Sequence, residues 1–216
     1  MQRPSLDLRD LALCDDISPY LDESGKVDEK AIKYTLFRNA AIMGAEFVNT
    51  DFSDVKFEKC RFSHSAFRKC SFSNTSFSNC DISNTEFVDT NLSLTEFVGS
   101  KCLGSSFYKC VMRNFALEDS NFGLANFNSC RFAGFLVRDT DFANGFLCES
   151  TQKQSAFENV NFAGASFVNT LLNGVDLASC VLEGAVFSDN IKELKGASIA
   201  FLQWIPFARH FGVKIL

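Results

Sequence analysis

Every fifth residue from Phe37 to Phe187 lies on one apolar register. Of its thirty-one positions nineteen are Phe, and only Cys102 and Gln152 are not large apolar residues. A period of five residues matches neither the 3.6-residue turn of an α-helix nor the two-residue alternation of a β-strand. The pattern therefore predicts a repeat architecture, in which each short unit buries its large side chain against neighbouring units.

A second position lies two residues before each of these centres and holds mostly Ala, Ser, Thr, Cys or Val, while the other three positions are mostly polar. Each unit can thus bury one large and one small side chain. Four units would make a square coil of about twenty residues, and such coils would stack at about 4.8 Å, the spacing of paired strands. We expect an all-β fold, a right-handed quadrilateral parallel β-helix of about eight coils.

Several units carry a recognisable motif. The segments ANFNS, TNLSL, TDFAN and VDLAS begin at Ala125, Thr90, Thr140 and Val175. They resemble the pentapeptide-repeat family, whose unit is a small residue, Asp or Asn, Leu or Phe, and two variable residues. The resemblance implies the solenoid fold, but this fold serves many unrelated roles and does not specify one.

The period divides the chain into three parts. Residues 1–33 lack it and are interpreted as short helical or irregular pieces that cap the first coil, or alternatively as an extension that binds a partner. Residues 34–190 form the predicted β-helix. Residues 191–216 are interpreted as a C-terminal helical capping and dimerisation module.

The C-terminal module is strongly apolar. Because Pro206 is unfavourable inside a helix, we expect one short helix or turn before it and another starting at it. The segment LKGASI, an apolar helix and FGVKI resemble the end of many pentapeptide-repeat proteins, including the Qnr-type quinolone-resistance proteins. The resemblance implies a homodimer formed through this end, with an apolar surface that needs a cover. The residues predicted to form it are Phe201, Leu202, Trp204, Ile205, Phe207 and Phe211.

Nine cysteines are present, and most of them occupy inward positions of the repeat. We interpret them as small core residues with free thiols. Cys60 and Cys80 would lie on adjacent coils, so a disulfide between them is geometrically conceivable. Free core thiols suit a reducing compartment, and the sequence shows neither a signal peptide nor a long apolar span, so the expected location is the cytoplasm.

No catalytic constellation, cofactor motif or metal-ligand spacing occurs in the sequence, so we predict a non-enzymatic protein without cofactors. The net charge of −5 argues against direct nucleic-acid binding. The leading hypothesis is a rod that binds or scaffolds another protein. Two stretches are candidate partner surfaces, a basic one and one where Gln152 interrupts the apolar register and is expected to turn outward. Their residues are Lys56, Lys59, Arg61, Arg68, Lys69, Glu149 and Gln152.

Two alternatives remain open. By resemblance to Qnr-type proteins, the rod could mimic DNA, bind a type II topoisomerase such as DNA gyrase and confer fluoroquinolone resistance. The mixed charges along the repeats argue against a continuous acidic surface of that kind. The other alternative is a secreted, host-facing protein with the same fold.

Overall fold

The computed structural model describes residues 2–210, 212 and 214. The chain winds as a parallel β-solenoid, and the paired residues of neighbouring coils are twenty positions apart along most of the rod. One ladder of single bridges runs from Ala41 to Val181 and comprises seven such steps. This confirms the β-helix predicted from the five-residue period, with about seven complete turns.

Four faces follow one another around each coil, and we number them by their centres, which recur every twenty residues. The first face has centres from Ile32 to Leu172, the second from Phe37 to Leu177, the third from Ile42 to Leu182 and the fourth from Phe47 to Phe187.

Most strands lie on the first, second and fourth faces. Long strands cover the first two faces together: β3 (Ala31–Arg38), β5 (Asp51–Glu58), β7 (Ser71–Ser78), β9 (Asn91–Val98), β10 (Val111–Glu118) and β11 (Arg131–Arg138). They form one sheet with β1 (Ala12–Cys14), β12 (Thr151–Lys153) and β13 (Ala156–Glu158). A second sheet on the fourth face contains β2 (Lys26–Asp28), β4 (Glu46–Val48), β6 (Ala66–Arg68) and β8 (Glu86–Val88). Short 3-10 helices span Leu8–Asp10, Ser18–Tyr20 and Lys192–Leu194.

Phe rings fill the axis of the rod in columns. On the second face, the Phe77 ring lies 4.7 Å from that of Phe57 and 4.4 Å from that of Phe97, and all three are fully buried. Rings on neighbouring faces meet edge to face, as Phe57 and Phe62 do at 5.0 Å. Stacked and edge-to-face pairs are the favourable arrangements of aromatic rings, so the columns are both densely packed and geometrically specific.

The small inward position has a second role besides its size. Its hydroxyl or thiol donates a hydrogen bond to the carbonyl of the centre residue twenty-three positions earlier. Examples are Thr90 to Phe67 O at 3.1 Å and Cys110 to Phe87 O at 3.3 Å. Ser, Thr and Cys are therefore favoured here because each supplies a donor for a buried carbonyl.

The corners of the coil require a left-handed backbone. The residue two positions after a centre has a positive φ at nearly every corner, as at Asn79 (53°) and Gly104 (66°). Asn, Asp and Gly adopt this region most readily. At Gly104 the close approach of a neighbouring corner matters too, because a Cβ there would lie 2.7 Å from Asn84 Oδ1.

The N-terminal residues cover the first coil. Strand β1 pairs in parallel with β3 and adds a rung to the second face. Ile17 is buried, and the Tyr20 ring packs against the edge of Phe37 at 6.1 Å. The first apolar layer is thereby closed off from solvent.

Helix α1 (Phe201–His210) follows the last coil and contains Pro206 within it. The expectation of two separate pieces divided by this proline was wrong. Gln203 fixes the start of the helix, since its N–H donates to Ala200 O at 3.0 Å and its Oε1 accepts from Ala200 N at 2.6 Å. Phe207 packs against Phe187 at 5.6 Å. The proline cannot donate a hydrogen bond to the Leu202 carbonyl and its ring crowds that carbonyl, and we infer that the packing of the helix on the last coil offsets this cost.

Candidate protein-binding surfaces

The interior of the rod offers no room for a substrate. A cavity formed mainly by core side chains, between Phe132, Phe157 and Leu172, has a volume of only about 10 Å³. Within the described residues, no group of three His, Cys, Asp or Glu side chains is placed to hold a metal ion. No described helix has the length and apolarity needed to cross a bilayer.

The predicted basic stretch does not form one surface. Lys56 lies on the second face, Arg61 on the third and Arg68 on the fourth, while Lys59 and Lys69 occupy corners between faces. Arg68 is also engaged, since it pairs with Glu46 at 3.3 Å and with Glu86 at 2.7 Å. Successive basic residues are thus dispersed around the coil rather than brought together.

Gln152 lies on the first face and is half-buried. Its Nε2 donates to the carbonyls of Leu171 and Asn173, each at 3.2 Å. Glu149 lies apart from it, exposed at the corner before this face. The side-chain amide of Gln152 thus bridges two coils where the register has lost its apolar centre.

This bridge lies at an interruption of the backbone ladder. No backbone hydrogen bond joins residues 151–158 to residues 171–178, although both ranges are fully described. Residues 171–178 bond instead to the following segment, for example from Leu172 N to Glu193 O at 2.8 Å. The coils therefore part locally on the first and second faces, and Gln152 satisfies two of the exposed carbonyls.

A cationic groove lies beside this interruption, and the sequence analysis missed it. The outward side chains of Arg113, Arg131 and Lys153 line it on three successive coils of the first face, and its volume is about 410 Å³. The outward positions of this face carry no carboxylate between Asn91 and Asn173. We call this surface the first-face groove. A period of twenty residues would have revealed it, because residues that far apart share a face.

The N-terminal residues 2–7, which we call the N-terminal segment, lie along the second face. Arg3 forms a bidentate ion pair with Glu118 and approaches Glu96 at 3.7 Å. Ser5 N donates to Asn74 Oδ1 at 2.8 Å, and Asn74 Nδ2 donates to Ser5 O at 3.2 Å. The hydrogen bond from Arg3 holds the pKa of the Glu118 carboxyl below its ordinary value. Nothing in the sequence signals these contacts, since Arg3 and Glu118 are 115 positions apart.

The C-terminal helix exposes several of the residues predicted for dimerisation. Phe201 is 78% exposed, Leu202 73% and Trp204 42%. Ile205 and Phe207 are half-buried, and Phe211 lies outside the described residues. The three exposed side chains form an apolar surface on a helix that also covers the last coil.

Glu193, which the sequence analysis did not identify, stabilises the C-terminal end of the rod. Glu193 is fully buried and accepts hydrogen bonds from Asn169 N at 2.8 Å and from the Ser188 hydroxyl at 2.8 Å. Burial by itself would raise the pKa of the carboxyl, but these hydrogen bonds outweigh it and the pKa lies below its ordinary value. Glu193 therefore acts as a structural anchor between the last coil and the C-terminal residues.

All nine cysteines are free, and seven of them are buried. Burial raises the pKa of the Cys70 thiol to about 11 and that of Cys130 to about 12. Protonated thiols are poor nucleophiles, and these donate hydrogen bonds to core carbonyls. They are structural groups of the core.

Comparisons with known proteins agree with this geometry. A family model described as a pentapeptide repeat region matches residues 50–127, and one of pentapeptide repeats in eight copies matches residues 154–189. Together the two matches span more than half of the chain. No curated protein matches the sequence.

Among solved structures, QnrB1, a plasmid-mediated fluoroquinolone resistance protein, aligns with a TM-score of 0.55 at 16% identity, over 87% of this chain and 100% of its own. HetL, a pentapeptide repeat protein involved in heterocyst differentiation regulation from the cyanobacterium Nostoc, aligns with a TM-score of 0.48 at 18% identity, over 79% and 89%. At these identities the likeness concerns the fold.

Proposed function

Because the chain belongs to the pentapeptide-repeat family, we propose that it is a non-enzymatic rod that binds another protein through its outer faces. The filled Phe core leaves no interior site, and the regular coil presents side chains at fixed spacings to a partner. Its free, buried thiols suit the reducing cytoplasm.

The observation that carries this proposal is the first-face groove. Arg113, Arg131 and Lys153 form no ion pair within 4.0 Å among the described residues. Elsewhere on the rod, cations such as Arg38, Arg68 and Arg138 are paired with carboxylates. Unpaired cations in a groove favour an acidic partner surface, which they would attract and orient.

The test is cross-linking in cells of the source organism, followed by mass spectrometry of the captured proteins. We expect one acidic partner to be captured by the wild type and lost when Arg113, Arg131 and Lys153 are all replaced by Glu. The matched control replaces Lys59, Arg61 and Lys69 by Glu, which changes the charge equally on other faces. If no protein is captured, or if both variants keep the partner, the proposal is wrong.

A second candidate is binding of a type II topoisomerase as a DNA mimic. The net charge of −5 and the length of the rod support it. The likeness in fold to QnrB1 makes this candidate worth testing. The paired charges weigh against it, because Arg38 and Arg138 form ion pairs with Glu58, Glu118 and Glu158 and so interrupt the negative charge of the second face. A DNA mimic needs a continuous acidic surface.

A gyrase supercoiling assay, with and without a fluoroquinolone, decides this candidate. Topoisomerase binding predicts inhibition of supercoiling or protection from the drug at micromolar protein. If the protein produces neither effect at that concentration, the DNA-mimic candidate is excluded, and the general protein-binding proposal still stands.

We further propose that residues 191–216 cap the rod and join two copies end to end. The exposed apolar side chains of Phe201, Leu202 and Trp204 support this, since a patch of that kind is usually covered. Light scattering after size exclusion tests it. The wild type should run as a dimer, Leu202→Glu/Trp204→Glu as a monomer, and the control Leu124→Glu, on the third face, as a dimer. A monomeric wild type would contradict the proposal.

A further inference from the structure

The second face carries a peptide in an extended path along the rod, and that peptide is the chain's own N-terminal segment. The described backbone of residues 2–7 has no backbone hydrogen bond to the coils. It is held by side chains, namely the ion pair of Arg3 with Glu118 and the two hydrogen bonds of Asn74 with Ser5. Pro4 and Leu6 close a groove of about 230 Å³ over Lys56, Ser76 and Glu96.

We propose that this surface is a recognition site for an extended, arginine-containing segment of a partner protein, and that the N-terminal segment occupies it until the partner displaces it. The inference deepens the proposed protein-binding function and rests on it, but it does not depend on the first-face groove, which is a separate surface.

The chemistry of the site selects arginine. Glu118 receives two parallel N–H groups from Arg3, a geometry that a guanidinium offers and a lysine ammonium does not. Glu96 adds a second carboxylate at 3.7 Å. Both carboxylates are half-buried, with side chains 15% and 19% exposed, while the Arg3 side chain is 34% exposed, so water still screens the pair in part.

Asn74 forms hydrogen bonds with the backbone of the bound segment. Its Oδ1 accepts from Ser5 N and its Nδ2 donates to Ser5 O, so both polar groups of one peptide residue are satisfied by one side-chain amide. Any residue in an extended conformation two positions after the arginine could make the same pair. Asn74 is itself fixed by its hydrogen bond to Asp54 at 2.7 Å. The site thus specifies an arginine followed by an extended backbone.

The same features favour a protein segment over a nucleic acid. The site presents the carboxylates of Glu96 and Glu118 to its occupant, and these would repel phosphates. Side-chain contacts alone hold the N-terminal segment, so it can leave without unfolding a coil. Its tether gives it a high effective concentration, so a partner must bind better than the segment does in order to replace it.

The experiment uses the full chain and a labelled hexapeptide, Gln-Arg-Pro-Ser-Leu-Asp, which copies the N-terminal segment. The Arg3→Glu variant should release the segment and leave the site open. Fluorescence polarisation should then show the hexapeptide binding to Arg3→Glu at least tenfold more tightly than to the wild type. The matched control is Arg9→Glu, because Arg9 pairs only with Asp7 in the described structure, and it should bind the hexapeptide as the wild type does.

A charge exchange separates recognition from a general effect on the fold. Combining Glu118→Arg with Arg3→Gln, whose neutral side chain cannot pair with an arginine at position 118, should abolish binding of the hexapeptide and permit binding of a hexapeptide with Glu in place of its arginine. The control Glu149→Arg, at an exposed corner away from this site, should leave binding unchanged. Equal binding to wild type and Arg3→Glu, or binding that survives Glu118→Arg, would overturn the inference. So would a wild-type dimer that Arg3→Glu converts to monomers, since the occupant would then be a second copy's segment.

Discussion

Replacing Phe77 by Ala tests whether the stacked rings hold the rod together. The ring is fully buried and lies between those of Phe57 and Phe97 at 4.7 Å and 4.4 Å. Its removal leaves a cavity inside a column whose coils are spaced by backbone hydrogen bonds and cannot close around it. Substitutions of this kind cost about 3–5 kcal/mol, and a site that cannot collapse belongs at the upper end of that range.

Two further variants locate the effect. Phe187→Ala removes a ring from the last coil, where it is half-buried and has one stacked neighbour, Phe167, at 5.5 Å. We expect a loss of about 1–2 kcal/mol there. Phe77→Leu keeps most of the volume, as the natural Leu92 does at another centre, and should cost less than about 1.5 kcal/mol.

Urea denaturation followed by far-UV circular dichroism measures the three changes in the free energy of unfolding. We expect Phe77→Ala to lower the free energy of unfolding most, and Phe187→Ala and Phe77→Leu to lower it less. If Phe77→Ala cost no more than Phe187→Ala, the rings would not act as a continuous column, and the packing account of the fold would be refuted.

Three other predictions concern the thiols and the two ends of the rod. An alkylating reagent at pH 8 should modify Cys14 and Cys148 in the native protein and none of the seven buried thiols. Mass spectrometry after digestion identifies the modified cysteines. Rapid labelling of a buried core thiol would contradict this prediction. Arg3→Gln should lower the free energy of unfolding by less than about 1 kcal/mol at pH 7, since the pair is partly screened by solvent. Because the folded pKa of Glu118 is depressed, this difference is fully present above the ordinary Glu pKa of about 4.3 and should be lost as the pH falls through the lower folded pKa. An Arg3→Gln difference that does not decline in urea titrations at successively lower pH would exclude the ion pair as its cause. Gln203→Ala removes the donors to the Leu177 and Cys180 carbonyls and should cost about 1–3 kcal/mol, measured as a lower thermal midpoint than that of the exposed control Gln154→Ala.

The dispersal of the basic stretch shows how the fold rearranges what lies close in sequence. Lys56, Arg61 and Arg68 are neighbours in the chain, yet each lies on a different face because the coil turns a corner every five residues. Arg113 and Lys153 are forty residues apart and share a face. A candidate site on such a rod has to be sought at intervals of twenty, which is why a search for local charge clusters missed the first-face groove.

The C-terminal helix shows a second way in which prediction from local sequence fails. The rule that proline divides a helix is a statement about local backbone sterics, and Pro206 violates it inside α1. What decides the outcome there is tertiary packing, with Phe207 against Phe187 and Gln203 bonded to two carbonyls of the last coil. Local preference can be overridden when the rest of the helix is held in place.

From the sequence alone follow the β-solenoid, its columns of Phe rings and the burial of seven of its nine cysteines. Strict periodicity suffices for these, because identical short units can bury their large side chains only by stacking on one another. The tertiary structure decided the hydrogen bonds from small residues to carbonyls twenty-three positions earlier, the bridge made by Gln152, and the site that Arg3 occupies on Glu118. Those contacts join residues that no local pattern relates, and they exist only once the coils have brought distant parts of the chain together.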